Sequence, residues 1–319
     1  MSLRLEMLQV ARLAPKLLGE SAELVRSFLL RQQNPDGGFK DRTGQSDLYY
    51  TVFGLDALLA LEAPGTRRPV SGGNLAERFA LAGKYLAGFG NGEALDFVHV
   101  CCLARAWAAV RSVSQGLAES ACAERDILRR LEKFRSLDGG YNPSPGADSG
   151  TAYAGFLALG AYQDLKADLP EPLRLVQSLK FLETSDGAWT NERPRLSALR
   201  PPPSALGSTN ATAAAVTLLR NLGQPLNPAV TDWLLARGHS QGGFLAMPGA
   251  PMPDLLSTAT ALHALAGLQA DFSAVKERCL DFVDSLWTSE GGFHGSWADE
   301  TLDCEYTFYG LLALGHLSL

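Results

Sequence analysis

Residue types that usually announce chemistry are scarce in this chain. Its 319 residues include 5 histidines and 5 cysteines, and no Cys-x-x-Cys occurs. An odd cysteine count without that spacing argues against a disulfide framework or a structural zinc knot. Cys101 and Cys102 are adjacent, which suits buried thiols on a helix. Charged residues make up only 19% of the chain, 28 basic against 34 acidic, for a net charge of −6. Without a run of Lys or Arg, the electrostatic footprint of a nucleic-acid binder is missing. No uncharged apolar stretch approaches the ~20 residues of a membrane-spanning helix. Arg4, Glu6, Arg12 and Lys16 interrupt the apolar positions of the first twenty residues. That segment lacks the continuous apolar core of a signal peptide and predicts an extra amphipathic helix within 1–18. A reduced, cytoplasmic protein is expected.

Repetition is what the chain does have. A turn of one acidic or amide residue, two small residues and an aromatic recurs at Asp36-Gly37-Gly38-Phe39, Asp138-Gly139-Gly140-Tyr141, Asp186-Gly187-Ala188-Trp189, Gln241-Gly242-Gly243-Phe244 and Glu290-Gly291-Gly292-Phe293. The aromatics are 102, 48, 55 and 49 residues apart. The first gap is double the rest, and Phe89-Gly90-Asn91-Gly92 fills its middle as a degenerate copy, giving six units over 20–319. In each unit a one-sided amphipathic segment, such as NLAERFALAGKYLAGF, leads into the turn. A polar loop follows, then a nearly all-apolar segment such as TVFGLDALLAL or ATALHALAGL. A one-sided helix followed by an all-round apolar one implies an exposed outer layer and a buried inner layer. Paired glycines permit the positive backbone angles of a tight connection, and the aromatic is expected to plug the gap between neighbouring units. The chain is therefore predicted to be all-α and a single domain over 1–319. Six hairpins form an (α/α)6 toroid or barrel, with an inner apolar and an outer amphipathic ring.

A second register marks the inner helices. Asp47, Asp96, Asp148, Asp254 and Asp303 precede the apolar run in five units, and Ser208 takes the place in the fourth. Threonine follows four residues later at Thr51, Thr212, Thr258 and Thr307. Helix capping explains a repeated Asp or Ser at such a place. The sharper alternative is that six inner N-termini surround one mouth lined with carboxylates.

With these turns and D-x-x-x-T helix starts, the chain resembles the α/α-toroid superfamily, over roughly residues 20–319. That group includes the β subunits of protein prenyltransferases and the squalene and other class II terpene cyclases. The resemblance implies an isoprenoid or other apolar ligand in a central cavity. For the prenyltransferases it implies zinc on an Asp and a Cys in D-x-C, plus a His in the next inner helix. Those positions here are Asp254, Leu256 and Tyr306, so two of the three ligands are absent and no cofactor is expected. The stretch LAMPGAPMP before Asp254 lacks the cations that grip a prenyl diphosphate in that family. The proton-donating D-x-D-D of the cyclases and the Cys-Gly-Glu-Gln of thioester toroids are missing too. The resemblance also implies a helical protein partner.

Candidate groups remain. Asp96 and His99, three residues apart, are placed for acid–base work or ligation across one helix turn. Asp254 and Asp303 are candidate catalytic carboxylates, and with Cys304 and Glu305 they offer a relocated metal site. Tyr49, Tyr50, Trp107, Tyr153, Tyr306 and Tyr309 are candidate ligand-contacting residues of the inner wall, beside Phe53 and Phe156. The fourth unit carries an insertion at 190–207 with Arg193, Arg195, Arg200 and three consecutive prolines, either a lid that brings cations to the mouth or a surface loop. Two functions stay open. One is an isoprenoid-handling toroid without the usual zinc-dependent transfer; the other is a non-catalytic binding or scaffold toroid.

Overall fold

The computed structural model describes residues 2–62, 74–113, 121–193 and 206–319. A short helix α1 (Leu3–Ala11) and a single turn α2 (Pro15–Leu18) come first. Six helical hairpins follow in chain order: α3 (Ala22–Gln32) with α4 (Leu48–Leu61), α5 (Leu75–Ala87) with α6 (Phe97–Val113), and α7 (Ala121–Glu132) with α8 (Ala152–Asp164). The second half comprises α9 (Pro172–Lys180) with α10 (Thr209–Asn221), α11 (Ala229–Leu235) with α12 (Leu255–Gly267), and α13 (Ser273–Ser285) with α14 (Cys304–Leu317).

Burial follows the sequence pattern. In α5 only Phe79, Ala82, Gly83 and Leu86, one helical stripe, are buried. In α12 nine of thirteen residues are buried, from Leu255 to Leu265. The even-numbered helices from α4 to α14 each pack on the next, and α14 packs on α4, so the inner ring closes. Helix α1 contacts α4, α8 and α14 and lies across the ring at the end opposite the mouth. Its place is fixed by Gly315, where an added Cβ would sit 2.1 Å from the Val10 carbonyl. The 1–18 segment thus provides a floor to the barrel.

The two repeated registers prove to be one joint. The Thr51, Thr258 and Thr307 hydroxyls donate to the carbonyls of Asp47, Asp254 and Asp303 at 2.6–2.7 Å. The same oxygens accept from the backbone N–H of Phe39, Phe244 and Phe293, the turn aromatics. Trp189 and Thr212 repeat that contact in the fourth unit. The aromatic rings pack on the inner helix of their own hairpin, Phe39 against Gly54 and Phe293 against Gly310. The glycines of the turn also meet the next unit, and the first of them does so against that unit's backbone, while the Tyr141 ring stacks on Phe97 of the preceding unit. Gly242 and Gly291 have φ of +95° and +94°, and an added Cβ would lie 2.0–2.1 Å from the carbonyls of Arg278 and Leu24. Only glycine fits both the angle and the approach. Two-residue antiparallel pairs, β1 (Phe39–Lys40) with β2 (Ser46–Asp47) and β3 (Phe244–Leu245) with β4 (Pro253–Asp254), close two of the loops.

Asp47, Ser208, Asp254 and Asp303 cap their helices as the pattern predicts, and the Asp96 carboxylate accepts from the His99 N–H. The third unit departs: its cap is Thr151, and Asp148 lies three residues upstream, accepting through its carbonyl from Asp138.

Candidate functional site

Because all six inner helices start at one end, the second residue after the cap turns toward the axis in five of them. Tyr49, Tyr153, Asn210, Leu256 and Glu305 stand at that position in five helices, and all five line a central cavity of about 400 Å³. One or two helical turns deeper, Phe156, Ala213, Thr217, Thr260, His263 and Tyr309 continue its wall, and Met7 of α1 closes it below. A smaller pocket of about 60 Å³ shares Met7, Tyr49, Tyr153, Phe156 and Tyr309 and extends to Arg4, Arg105 and Asp164. The lumen is thus mostly apolar, with a few isolated polar groups.

Glu305 is the ionisable group of the upper lumen. The Tyr49 hydroxyl donates to its Oε1 at 2.6 Å, across the α4–α14 contact that closes the ring. Burial pushes the Glu305 carboxyl up to about 7, the Tyr49 hydrogen bond pulling it partly back and the Asp303 charge adding to the rise. Burial also raises Tyr49, as do the nearby Tyr309 and Glu305, so its phenol stays protonated and remains a donor. A carboxyl in an apolar cavity with a pKa near ambient pH is suited to proton transfer.

The predicted carboxylates lie on the rim above. Asp254 accepts from the Ser257 N–H at Oδ1 and from the Ser257 hydroxyl at Oδ2, both at 2.7 Å. Asp303 accepts from the Tyr306 N–H and pairs with Arg42 at 3.0 Å. Burial raises both acids, against these hydrogen bonds. Arg42 comes from the β1–β2 loop, also binds Asp299 at 2.8 Å, and lies over the Tyr306 ring. It bridges the first and last units at the mouth.

Asp96 and His99 do come together, at 2.9 Å, and a third partner joins them: His99 Nε2 is 3.2 Å from Asp47 of the neighbouring inner helix. Hydrogen bonding to Asp47 raises the imidazole to about 9, burial opposing and Asp96 assisting. His99 is therefore a cation at neutral pH, clasping α4 to α6.

Of the ligand-contacting candidates, Tyr49, Tyr153 and Tyr309 line the cavity. Tyr50 and Tyr306 instead gather around Arg42. Trp107 is 4% exposed within the packed wall and borders neither cavity. The relocated metal site is not assembled: Cys304 is fully buried in the wall while Glu305 faces the lumen. Among the described residues, no three His, Cys, Asp or Glu side chains converge as metal ligands. Arg193 of the insertion lies over the Phe181 ring at 4.1 Å and 3.6 Å from Asp138. Arg195 and Arg200 fall outside the described residues. No described helix is long and apolar enough to cross a membrane.

Sequence inspection missed the isolated role of Glu305, the polar wall residues Asn191 and Asn210, and the floor built by α1. The first had a signal, since the second residue after the caps Asp47, Ser208 and Asp254 also faces inward.

The model of the prenyltransferase alpha-alpha toroid domain matches residues 7–101 and 211–318. No curated protein matches the sequence. Among solved structures, the type II terpene cyclase MstE from Scytonema, in complex with its substrate geranylgeranyl dihydroxybenzoate, superposes with a TM-score of 0.63. It is 16% identical, over 96% of this chain and 97% of that one. Protein geranylgeranyltransferase-I from Candida albicans, complexed with GGPP, gives 0.61 at 12% identity, over 93% and 90%. A structure of UGL with dGlcA-Glc-Rha-Glc gives 0.55 at 14% identity, over 94% and 96%. At these identities the likeness is one of fold, and this fold carries several chemistries.

Proposed function

The chain belongs to the prenyltransferase alpha-alpha toroid family, and from that premise we propose that its lumen binds an isoprenoid chain and acts on it by proton transfer from Glu305. The observation that carries this reading is a single carboxyl, hydrogen-bonded to Tyr49, in the wall of a mostly apolar cavity whose other polar lining groups include Asn191, Asn210, Thr217, Thr260 and His263. Tyr49 occupies one carboxyl oxygen and leaves the other to carry the proton. Transfer of that proton to an alkene carbon leaves a carbocation on the chain and a carboxylate on Glu305. The rings of Tyr49, Tyr153, Phe156 and Tyr309 around it suit a cation. Loss of a proton from an adjacent carbon back to Glu305 closes the cycle, with rearrangement or cyclisation as the net result. The terpene cyclase and the geranylgeranyltransferase that share the fold both hold geranylgeranyl compounds, which supports the ligand class.

Zinc-dependent transfer forms no part of the proposal, because the donor set does not fit the metal. Asp254 spends both oxygens on Ser257, Leu256 offers no donor, and Tyr306 lies against Arg42. One carboxylate does not make a zinc site. Arg42, the cation beside the Asp303 cap, is already paired with two carboxylates, so a diphosphate there would meet acids as well as donors.

The test pairs binding with turnover. Geranylgeraniol at 100 times its Kd should stabilise the chain by ~2.7 kcal/mol, with or without a chelator. A metal-independent product should form and be lost in Glu305→Gln. A thermal shift that requires geranylgeranyl diphosphate and grows with zinc would overturn the proposal. Binding without any product would leave the non-catalytic toroid.

A further inference from the structure

The bottom of the lumen differs from its walls. Arg4 of α1 and Arg105 of α6 reach the small pocket and share one acid, Asp56 of α4. Arg4 Nε lies 2.9 Å from Oδ1, and Arg105 Nε lies 2.9 Å from Oδ2. The Arg4 and Asp56 side chains are 4% and 1% exposed. Arg4 Nη2 is buried with no hydrogen-bond partner. Arg105 sits over the rings of Phe53 and Phe308. Two guanidinium groups against one buried carboxylate leave a positive charge that a low-dielectric site holds only at a cost. Asp164, at the end of α8, lines the same pocket, yet makes no ion pair among the described residues. Burial pushes its carboxyl up to about 7, Arg4 and Arg105 opposing and Asp56 adding to the rise, with Arg111 also acting on it. The remaining titratable groups on the pocket are the Cys101 and Cys102 thiols and the hydroxyls of Tyr49, Tyr153 and Tyr309, all raised by burial and neutral.

We propose that this pocket is an anion subsite, and that the ligand is an isoprenoid carboxylic acid whose carboxylate seats between Arg4 and Arg105 while its chain rises through the lumen. The proposal rests on the apolar lumen of the preceding section and adds the chemistry of the ligand's inner end. A carboxylate supplies the one missing negative charge and an acceptor for the unpartnered Arg4 N–H. A pocket of about 60 Å³ suits a group of that size rather than a diphosphate. Asp164 takes up a proton when the carboxylate arrives and then donates to it. Held this way round, the chain presents its far, alkene-bearing end to Glu305 at the mouth. The floor thus selects the ligand and sets its direction, with Arg4 of the N-terminal helix acting together with Arg105 and Asp164 of the repeats.

Calorimetric titration of the full chain with geranylgeranoic acid and with geranylgeraniol tests this. At pH 7 the acid should bind about 10-fold tighter or more, the scale of a charge-assisted hydrogen bond. Arg105→Met should bring the acid down to the alcohol and leave the alcohol unchanged. Asp164→Asn removes the competing carboxylate, so it should tighten the acid several-fold. It should also abolish the weakening expected as pH rises through about 7 and Asp164 ionises. Equal affinities for acid and alcohol in the parent chain would overturn the subsite and leave the lumen standing. So would equal losses for both ligands in Arg105→Met. If neither compound binds, the lumen reading falls and the subsite with it. Should Arg105→Met fail to fold, the response of Asp164→Asn decides.

Discussion

Acids on the rim of the barrel and acids inside it belong to different economies. Asp47, Asp254 and Asp303 recur at one register, cap helices, and have their oxygens engaged by backbone amides, Ser257, His99 or Arg42. Glu305 and Asp164 have no counterparts in the other units, face cavities, and are pushed by burial to about 7. The difference teaches how to divide a repeat protein. What recurs at the cap register builds the helix starts, whereas Glu305 and Asp164 occur once, face cavities and are available for chemistry.

Substitutions can break that division, and the largest effect lies at the floor. Asp56→Ala strips the shared partner from two buried arginines and should destabilise the fold by ~3–5 kcal/mol, read from urea unfolding. A loss under 1 kcal/mol would mean the floor is not locked. Next comes the joint between turn and helix. Thr258→Val leaves the buried Phe244 N–H without its acceptor and should cost ~1–3 kcal/mol, with metal-independent turnover retained. A smaller, pH-dependent effect belongs to the rim. His99 is raised from 6.5 to about 9, so its contribution is complete below pH 6.5 and is lost as pH rises through 9. His99→Gln should therefore cost ~1 kcal/mol near pH 6, discounted for the partial exposure of the group and its partners, and nothing near pH 10. An unchanged gap at both pH values would contradict the clasp. Smallest in stability is Glu305→Gln, expected within ~0.5 kcal/mol at pH 5, where one neutral group replaces another. The same variant should abolish product formation, whereas Asp254→Asn keeps it; the opposite outcome would move the chemistry to the rim.

Much of the scaffold was legible because it is periodic. Alternating one-sided and all-round apolar segments predicted the two rings, and a near-constant spacing predicted six hairpins. The caps were legible where Asp or Ser stands four residues before Thr, and failed at Asp148, where Thr151 serves instead. The closed toroid was legible from the six repeats, but the contacts across its seam were not, since nothing local says that Arg42 will reach Asp303 or Tyr49 will reach Glu305, pairs 261 and 256 residues apart. The aromatics were over-assigned for a related reason. Tyr50 and Tyr306 share a helix turn with lumen residues, and a shift of one residue on a helix turns the side chain by about 100°. Glu305 resembled one more acid beside a cap until its neighbours were known. Its pKa comes from burial and from Tyr49, and neither is written in its own segment.

The central claim is that Glu305 holds a proton near neutral pH inside the lumen. Infrared difference spectra of the parent chain against Glu305→Gln, taken from pH 5 to pH 9, read that proton directly as a protonated carboxyl band. The account predicts a band present at pH 5 and titrating away with a midpoint near 7. A midpoint near 4, the ordinary glutamate range, would contradict it, because the carboxyl would then be an anion with no proton to give.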